Sequence, residues 1–178
     1  MTTLSRIALV LLMLTSLLLP AQAGPAGAAG PIIPGKRIGN VHIGETEDQV
    51  IAALGKPAGR DMSMGREIAV WNLFQADNPT RLDVLFFRQE SDNQLHVTNI
   101  RVNSNAFRTG NKLAVGSTLA EVEKHFPDAQ KTALDAVHKT VYDSVSHGIA
   151  FEVDGDKVAA VTVHAPGKPE GIASVTLP

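Results

Sequence analysis

The chain carries no cysteine in its 178 residues. That excludes thiol nucleophiles, structural disulfides and thiolate metal sites, so folding rests on packing alone. Aromatic residues are scarce as well: one Trp, one Tyr and six Phe make up 4% of the chain. Neither sign of charge is in real excess, with 16 basic against 18 acidic side chains and a formal net charge of −2. Such a balance gives no footprint for nucleic acid and no polybasic patch for anionic lipid. Long apolar runs are missing too, except at the start.

That exception reads as a targeting segment over residues 1–23. Arg6 supplies the positive end, residues 7–19 (IALVLLMLTSLLL) the apolar core, and Ala21-Gln22-Ala23 the small-residue cleavage site. The apolar run is shorter than the roughly 20 residues a bilayer span needs. The expectation is cleavage after Ala23, a periplasmic or secreted location, and no transmembrane helix afterwards. Gly24 stands where a lipidated chain would carry cysteine. Residues 24–37, rich in Gly, Ala and Pro, read as a linker, with order beginning near Arg37.

What is present is punctuation. In residues 43–57 (IGETEDQVIAALGKP), Thr46 is a natural N-cap and Gln49, three residues on, completes a capping box. Glu47 and Asp48 suit the positive end of a helix dipole. Val50, Ile51 and Leu54 form an apolar stripe, while Gly55 and Pro57 stop the helix. Residues 115–127 (VGSTLAEVEKHFP) follow the same grammar, with Thr118 and Glu121 as the capping box, Val122 and Phe126 in the stripe, and Pro127 as the stop. One unit is used twice.

Each helix is followed by strand-like runs rich in β-branched and aromatic residues. In the first unit these are residues 66–74, 81–88 and 95–103. In the second they are 138–144, 148–153 and 157–164, with Asp154-Gly155 as a hairpin turn between the last two. The predicted fold class is α+β: two tandem repeats, each a short helical segment followed by an antiparallel β-meander, helices on one face of the sheet. Repeat 1 spans 38–104 and repeat 2 spans 113–165; 166–178 is a tail with a further strand-like run at 172–177. Period-two alternation sets Leu85, Phe87, Ile100, Val102, Ile149, Phe151, Val153, Val161 and Val163 inward. Phe86, Arg101, Tyr142 and Trp71 then fall on the open face and are the expected binding residues, aromatics with Arg being enriched at interfaces.

Catalytic frames are missing. There is no G-x-G-x-x-G, P-loop or G-x-S-x-G. The histidines (His42, His96, His125, His138, His147, His164) show no metal-ligand spacing. Asp143, Ser144, Ser146 and His147 crowd one short segment, where neighbouring strand residues point to opposite faces and a triad is not expected. Glu90, Asp92, Asp154 and Asp156 sit in predicted hairpin loops without EF-hand spacing. No catalytic residue, metal or cofactor is expected.

The recurring pattern, carried by Ile43, Gly44, Thr46, Val50, Leu54, Gly55 and Pro57 and again by Val115, Gly116, Thr118, Val122, Phe126 and Pro127, resembles a known grouping. It is similar to the tandem α/β repeats of the β-lactamase-inhibitor-protein-like fold and to the SmpA/OmlA group of outer-membrane assembly lipoproteins. The resemblance covers roughly residues 38–164. It implies an exported, non-enzymatic protein that binds another secreted or envelope protein through its sheet. The lipobox cysteine of the assembly lipoproteins and the aromatic-rich face of the inhibitor are both absent, so neither anchoring nor β-lactamase inhibition carries over. The functional expectation is a protein-binding module or cell-envelope accessory factor; the alternative is an envelope small-molecule or calcium-binding protein using the hairpin-loop carboxylates, with a hydrolase third.

Overall fold

In the computed structural model, residues 29–75, 78–134 and 139–169 are described; the targeting segment, His138 and the run at 172–177 lie outside them. The expected α+β class is overturned. Strands hold about 51% of the described residues and are arranged in two sheets, with only two short helices.

The helices stop early for the reasons their sequences give. α1 (Glu47–Leu54) opens on a complete Thr46/Gln49 capping box and closes at Gly55. α2 (Leu119–His125) opens on the matching Thr118/Glu121 box and closes at Phe126, just before Pro127. At 8 and 7 residues they cannot layer a sheet face. Each buries a single residue fully, Val50 and Val122.

The large sheet has eight strands: β4 (Gly59–Ser63), β5 (Arg66–Gln75), β6 (Asn78–Arg88), β7 (Leu95–Val102), then β12 (Lys157–His164), β11 (Ile149–Asp154), β10 (Lys139–Ser144) and β9 (Gln130–Leu134), in that spatial order. Two four-stranded meanders thus join through their last strands, β7 against β12. The small sheet runs β3 (Val41–His42), β2 (Arg37–Ile38), β1 (Gly30–Ile33), β8 (Phe107–Thr109). It uses residues expected to be linker. Ile32, Ile38, Val41 and Phe107, all but fully buried, bring this sheet into the same core as Val50, Val122 and the large sheet.

What recurs between the halves is a docking of loop on strand. Gly44 N–H donates to Val97 O at 2.8 Å, and Val97 N–H to Glu45 O at 2.8 Å. In the other half, Gly116 N–H donates to Val158 O at 2.8 Å, and Val158 N–H to Ser117 O at 2.9 Å. Immediately after each docked valine the ladder shifts register: Thr98 lies between the partners of Leu85 and Phe86, and Ala159 between those of Glu152 and Val153. These are β-bulges, which swap the faces of everything beyond them.

Candidate functional site

The inward residues of the second half are as expected: Ile149, Phe151, Val153, Val161 and Val163 are buried, and so are Ile100 and Val102. On β6 the parity is reversed. Leu82, Val84 and Phe86 are the buried set, while Phe87 is 46% exposed. The run 82–87 is apolar at both parities, so alternation alone does not choose. Opposite β6, Trp71 pairs with Leu82 and Ala69 with Val84, and that row fills the core.

The four expected binding residues therefore do not share an open face. Phe86 is fully buried and Trp71 is 3% exposed. Trp71 points inward, its Nε1 donating to Gly55 O at 2.9 Å. Tyr142 pairs with core residue Phe151 and packs, half-buried, against the core. Arg101 alone is on the opposite side.

There it joins a row of ions. Its guanidinium donates to both carboxylate oxygens of Glu152, through Nη2 to Oε2 at 2.9 Å, and through Nη1 to Asp83 Oδ2 at 2.9 Å. Asp83 Oδ1 accepts from Arg81 Nε at 2.7 Å. Ala160, directly opposite Glu152 on the intervening strand, is small enough for the arginine to pass. Burial works against the Arg101 charge, but Glu152 and Asp83 outweigh it and hold the group firmly protonated. A half-buried arginine so fully engaged orders the sheet rather than offering itself to a ligand.

The Ser/His/Asp content is drawn apart in an informative way. Asp143 faces His164, whose Nε2 lies 3.0 Å from Oδ1. Ser144, Ser146 and His147 instead gather around Asp128, from the turn between α2 and β9. The Ser144 hydroxyl is 2.9 Å from both Asp128 oxygens and 2.8 Å from His147 Nδ1. Ser146 Oγ is 3.0 Å from the same nitrogen. Hydrogen bonds from Ser146 and Ser144 hold the Asp128 carboxyl below its ordinary range. A relay needs acid and nucleophile on different ring nitrogens. Here hydroxyls and carboxylate all converge on Nδ1, which makes this a clamp on the β10–β11 turn.

Of the loop carboxylates, Asp92 has a local partner, its Oδ2 lying 2.7 Å from His96 Nε2, while Asp156 is engaged through its backbone carbonyl, which accepts from Leu119 N–H at 2.9 Å. Among the described residues no group of three His, Cys, Asp or Glu is placed to hold a metal ion.

The accessible apolar surface lies where a loop was expected. Residues 58–65 contain β4, an edge strand exposed at all five positions. Met64 and Gly65 form a two-residue turn between Ser63 and Arg66, both with positive φ, 48° and 74°. Such turns favour Asn, Asp or Gly, and a methionine there is unusual. Met64 is 94% exposed, Met62 is 53% exposed, and Phe87, paired with Arg66, completes the set of exposed large hydrophobics among the described residues. The Arg66 guanidinium lies 6.0 Å from the Phe87 ring centre. The flanking pair Ser63–Arg66 exchanges both hydrogen bonds in a two-residue hairpin, so Asp61 also faces β5. The N–H and C=O groups of Arg60 and Met62 then point to the free edge. Met-Gly between Ser63 and Arg66 was the readable signal.

On the other side of this corner Glu67 is fully buried, and neither carboxylate oxygen has a hydrogen-bond partner. Arg60 Nε is 3.4 Å from Oε1 and also reaches Glu47 on α1. Burial, and then the Glu47 charge, raise the Glu67 carboxyl above its ordinary range.

No known protein family matches the chain, and no curated protein does. Two solved structures are similar to it. One is a DUF4309 family protein, YjgB, from Bacillus subtilis, 15% identical, covering 68% of this chain and 78% of its own, with a TM-score of 0.45. The other is the uncharacterized protein yfeY from Escherichia coli, 12% identical, covering 76% of this chain and 99% of its own, with a TM-score of 0.49.

Proposed function

We propose that this is an exported, non-enzymatic protein-binding module of the cell envelope, periplasmic or secreted, and that it engages its partner at the β4 edge. One observation carries the reading. The most exposed apolar side chain among the described residues, Met64, and its neighbour Met62 lie at the end of β4, a strand exposed along its whole length whose outer edge has no partner strand among the described residues. An open edge is a template for another strand, with main-chain hydrogen bonds supplying affinity and alternate side chains supplying selectivity. The targeting segment at residues 1–23 supports the compartment, and the engaged state of Arg101 argues against the sheet face as the contact.

The test is a photo-crosslinking amino acid placed at Met64, and separately at the exposed His125 on α2, in the chain starting at residue 24. Incubated with envelope extract, the Met64 probe should yield a discrete protein adduct that excess wild-type chain competes away. Equal adducts from both positions, or none from Met64, overturn the proposal.

A further inference from the structure

The occupant of this edge follows from its own pattern of charges. Resting on the reading above that β4 is the binding edge, we infer that it pairs antiparallel with β4 of a second copy, with Met62 opposite Met62.

The outward groups of Arg60 and Met62 limit which residues can face one another across a two-fold axis. Because side chains alternate, such an axis must place a residue opposite its own counterpart. With Asp61 opposite Asp61, or Arg60 opposite Arg60, like charges meet directly, which destabilises a pair of strands. With Ser63 opposite Ser63 no other residue of β4 meets a strand residue, since Met62 and Asp61 then face the Met64-Gly65 turn. With Met62 opposite Met62 no like charges meet. Asp61 then lies beside the second copy's Ser63, whose partner in the next strand is Arg66. Carboxylate, hydroxyl and guanidinium form one row, and symmetry makes it twice.

Within one chain neither Asp61 nor Arg66 has an ion pair among the described residues, although Arg66 is held beside Phe87. Charges that guard an edge normally repel an added strand. Here they complement their own copies. On the opposite face the two Met62 side chains meet, and each Met64 lies beside the other copy's Arg60. The most exposed large apolar side chain among the described residues, Met64, is thereby drawn out of water. Two eight-stranded sheets become one continuous sheet.

A chain without cysteine suits the test. Single-cysteine variants Arg60→Cys, Asp61→Cys and Met62→Cys are oxidised mildly, while wild type, Asp61→Arg and Asp61→Arg/Arg66→Glu are compared by analytical ultracentrifugation, with circular dichroism confirming their fold. A hydrogen-bonded antiparallel pair sets Cα atoms about 5.5 Å apart, within disulfide range. Met62→Cys should therefore form a covalent dimer and the other two should not. Asp61→Arg should weaken the dimer about tenfold or more, which is about 1.4 kcal/mol, and adding Arg66→Glu should restore it. Linkage through Asp61→Cys or Arg60→Cys overturns the register. A monomeric wild type at high micromolar concentration overturns the dimer; if the Met64 probe still captures a different protein, strand addition at β4 stands without it. A monomer with no Met64 adduct sinks both.

Discussion

The indole Nε1 of Trp71 donates to the Gly55 carbonyl at 2.9 Å, fastening the end of α1 to the middle of β5. Trp71→Phe keeps an aromatic ring in the core but removes the donor to Gly55, an exposed residue whose carbonyl water can reach, an expected loss of about 0.5–1.5 kcal/mol. Trp71→Ala should lose about 3–5 kcal/mol. Urea unfolding measures both. Capture by the Met64 probe should not change in Trp71→Phe, whereas a stable variant with abolished capture would return Trp71 to a binding role.

Arg101 bridges two buried carboxylates on strands that are not neighbours, and removing it takes its charge and hydrogen bonds from both. Arg101→Ala is predicted to destabilise the fold by about 3–5 kcal/mol, the range for breaking a buried pair on one side. Arg101→Lys keeps the charge but not the two-pronged contact with Glu152 and should fall between. An Arg101→Ala protein as stable as wild type would show the ion row to be dispensable.

His96 ties the loop before α1 to the β6–β7 turn. Its Nδ1 is 2.9 Å from Gly44 O and its Nε2 is 2.7 Å from Asp92, so both nitrogens donate when the ring is charged. The Gly44 carbonyl first, and then Asp92, raise its pKa above the ordinary value near 6.5. Because the folded value is the higher one, the stabilisation is complete below the unfolded value and is lost as pH rises through the folded one. The stability gap between wild type and His96→Gln should be widest near about pH 5.5 and close by about pH 9. Thermal melts across pH decide it; a constant gap would mean the charge contributes nothing.

Glu67 predicts the opposite arrangement of gain and loss. Its carboxyl is raised in the folded state, so its charge costs stability above the folded pKa, and the cost disappears as pH falls below the unfolded value. Glu67→Gln should raise the melting temperature at about pH 8 and bring no gain at about pH 4. If the variant melts lower at the higher pH, attraction to Arg60 outweighs burial.

Local grammar was legible in the sequence, and long-range geometry was not. Thr46 with Gln49 and Thr118 with Glu121 gave both capping boxes, because a cap is decided within four residues. The strand runs were readable from β-branched content. The faces of β6 were not, since Leu82, Val84 and Phe86 compete with Leu85 and Phe87 and only the partners on β5 decide. Strands β1 and β8 pair across more than seventy positions, so nothing local marks Pro31-Ile32-Ile33 as structure. The helices were over-weighted: capping marks where a helix begins, and says little about how much of a core it covers. The β4 corner was missed because residues 58–65, with two glycines, Asp and Ser, read as a loop, and only pairing with β5 makes five of them an edge strand.

The seam between β7 and β12 bears on how the chain reaches this state. Within each meander, partners are hairpin neighbours and can find one another quickly. Across the seam, Val102 meets Val161 and Asn99 meets His164, about sixty positions apart, and loop closure makes such contacts slow to form. Each meander nevertheless leaves its last strand unpaired until the other arrives. The expected order of events is two local sheets first and their union last, so the rate of folding is set less by either half than by how long each half waits, edge open, for the other.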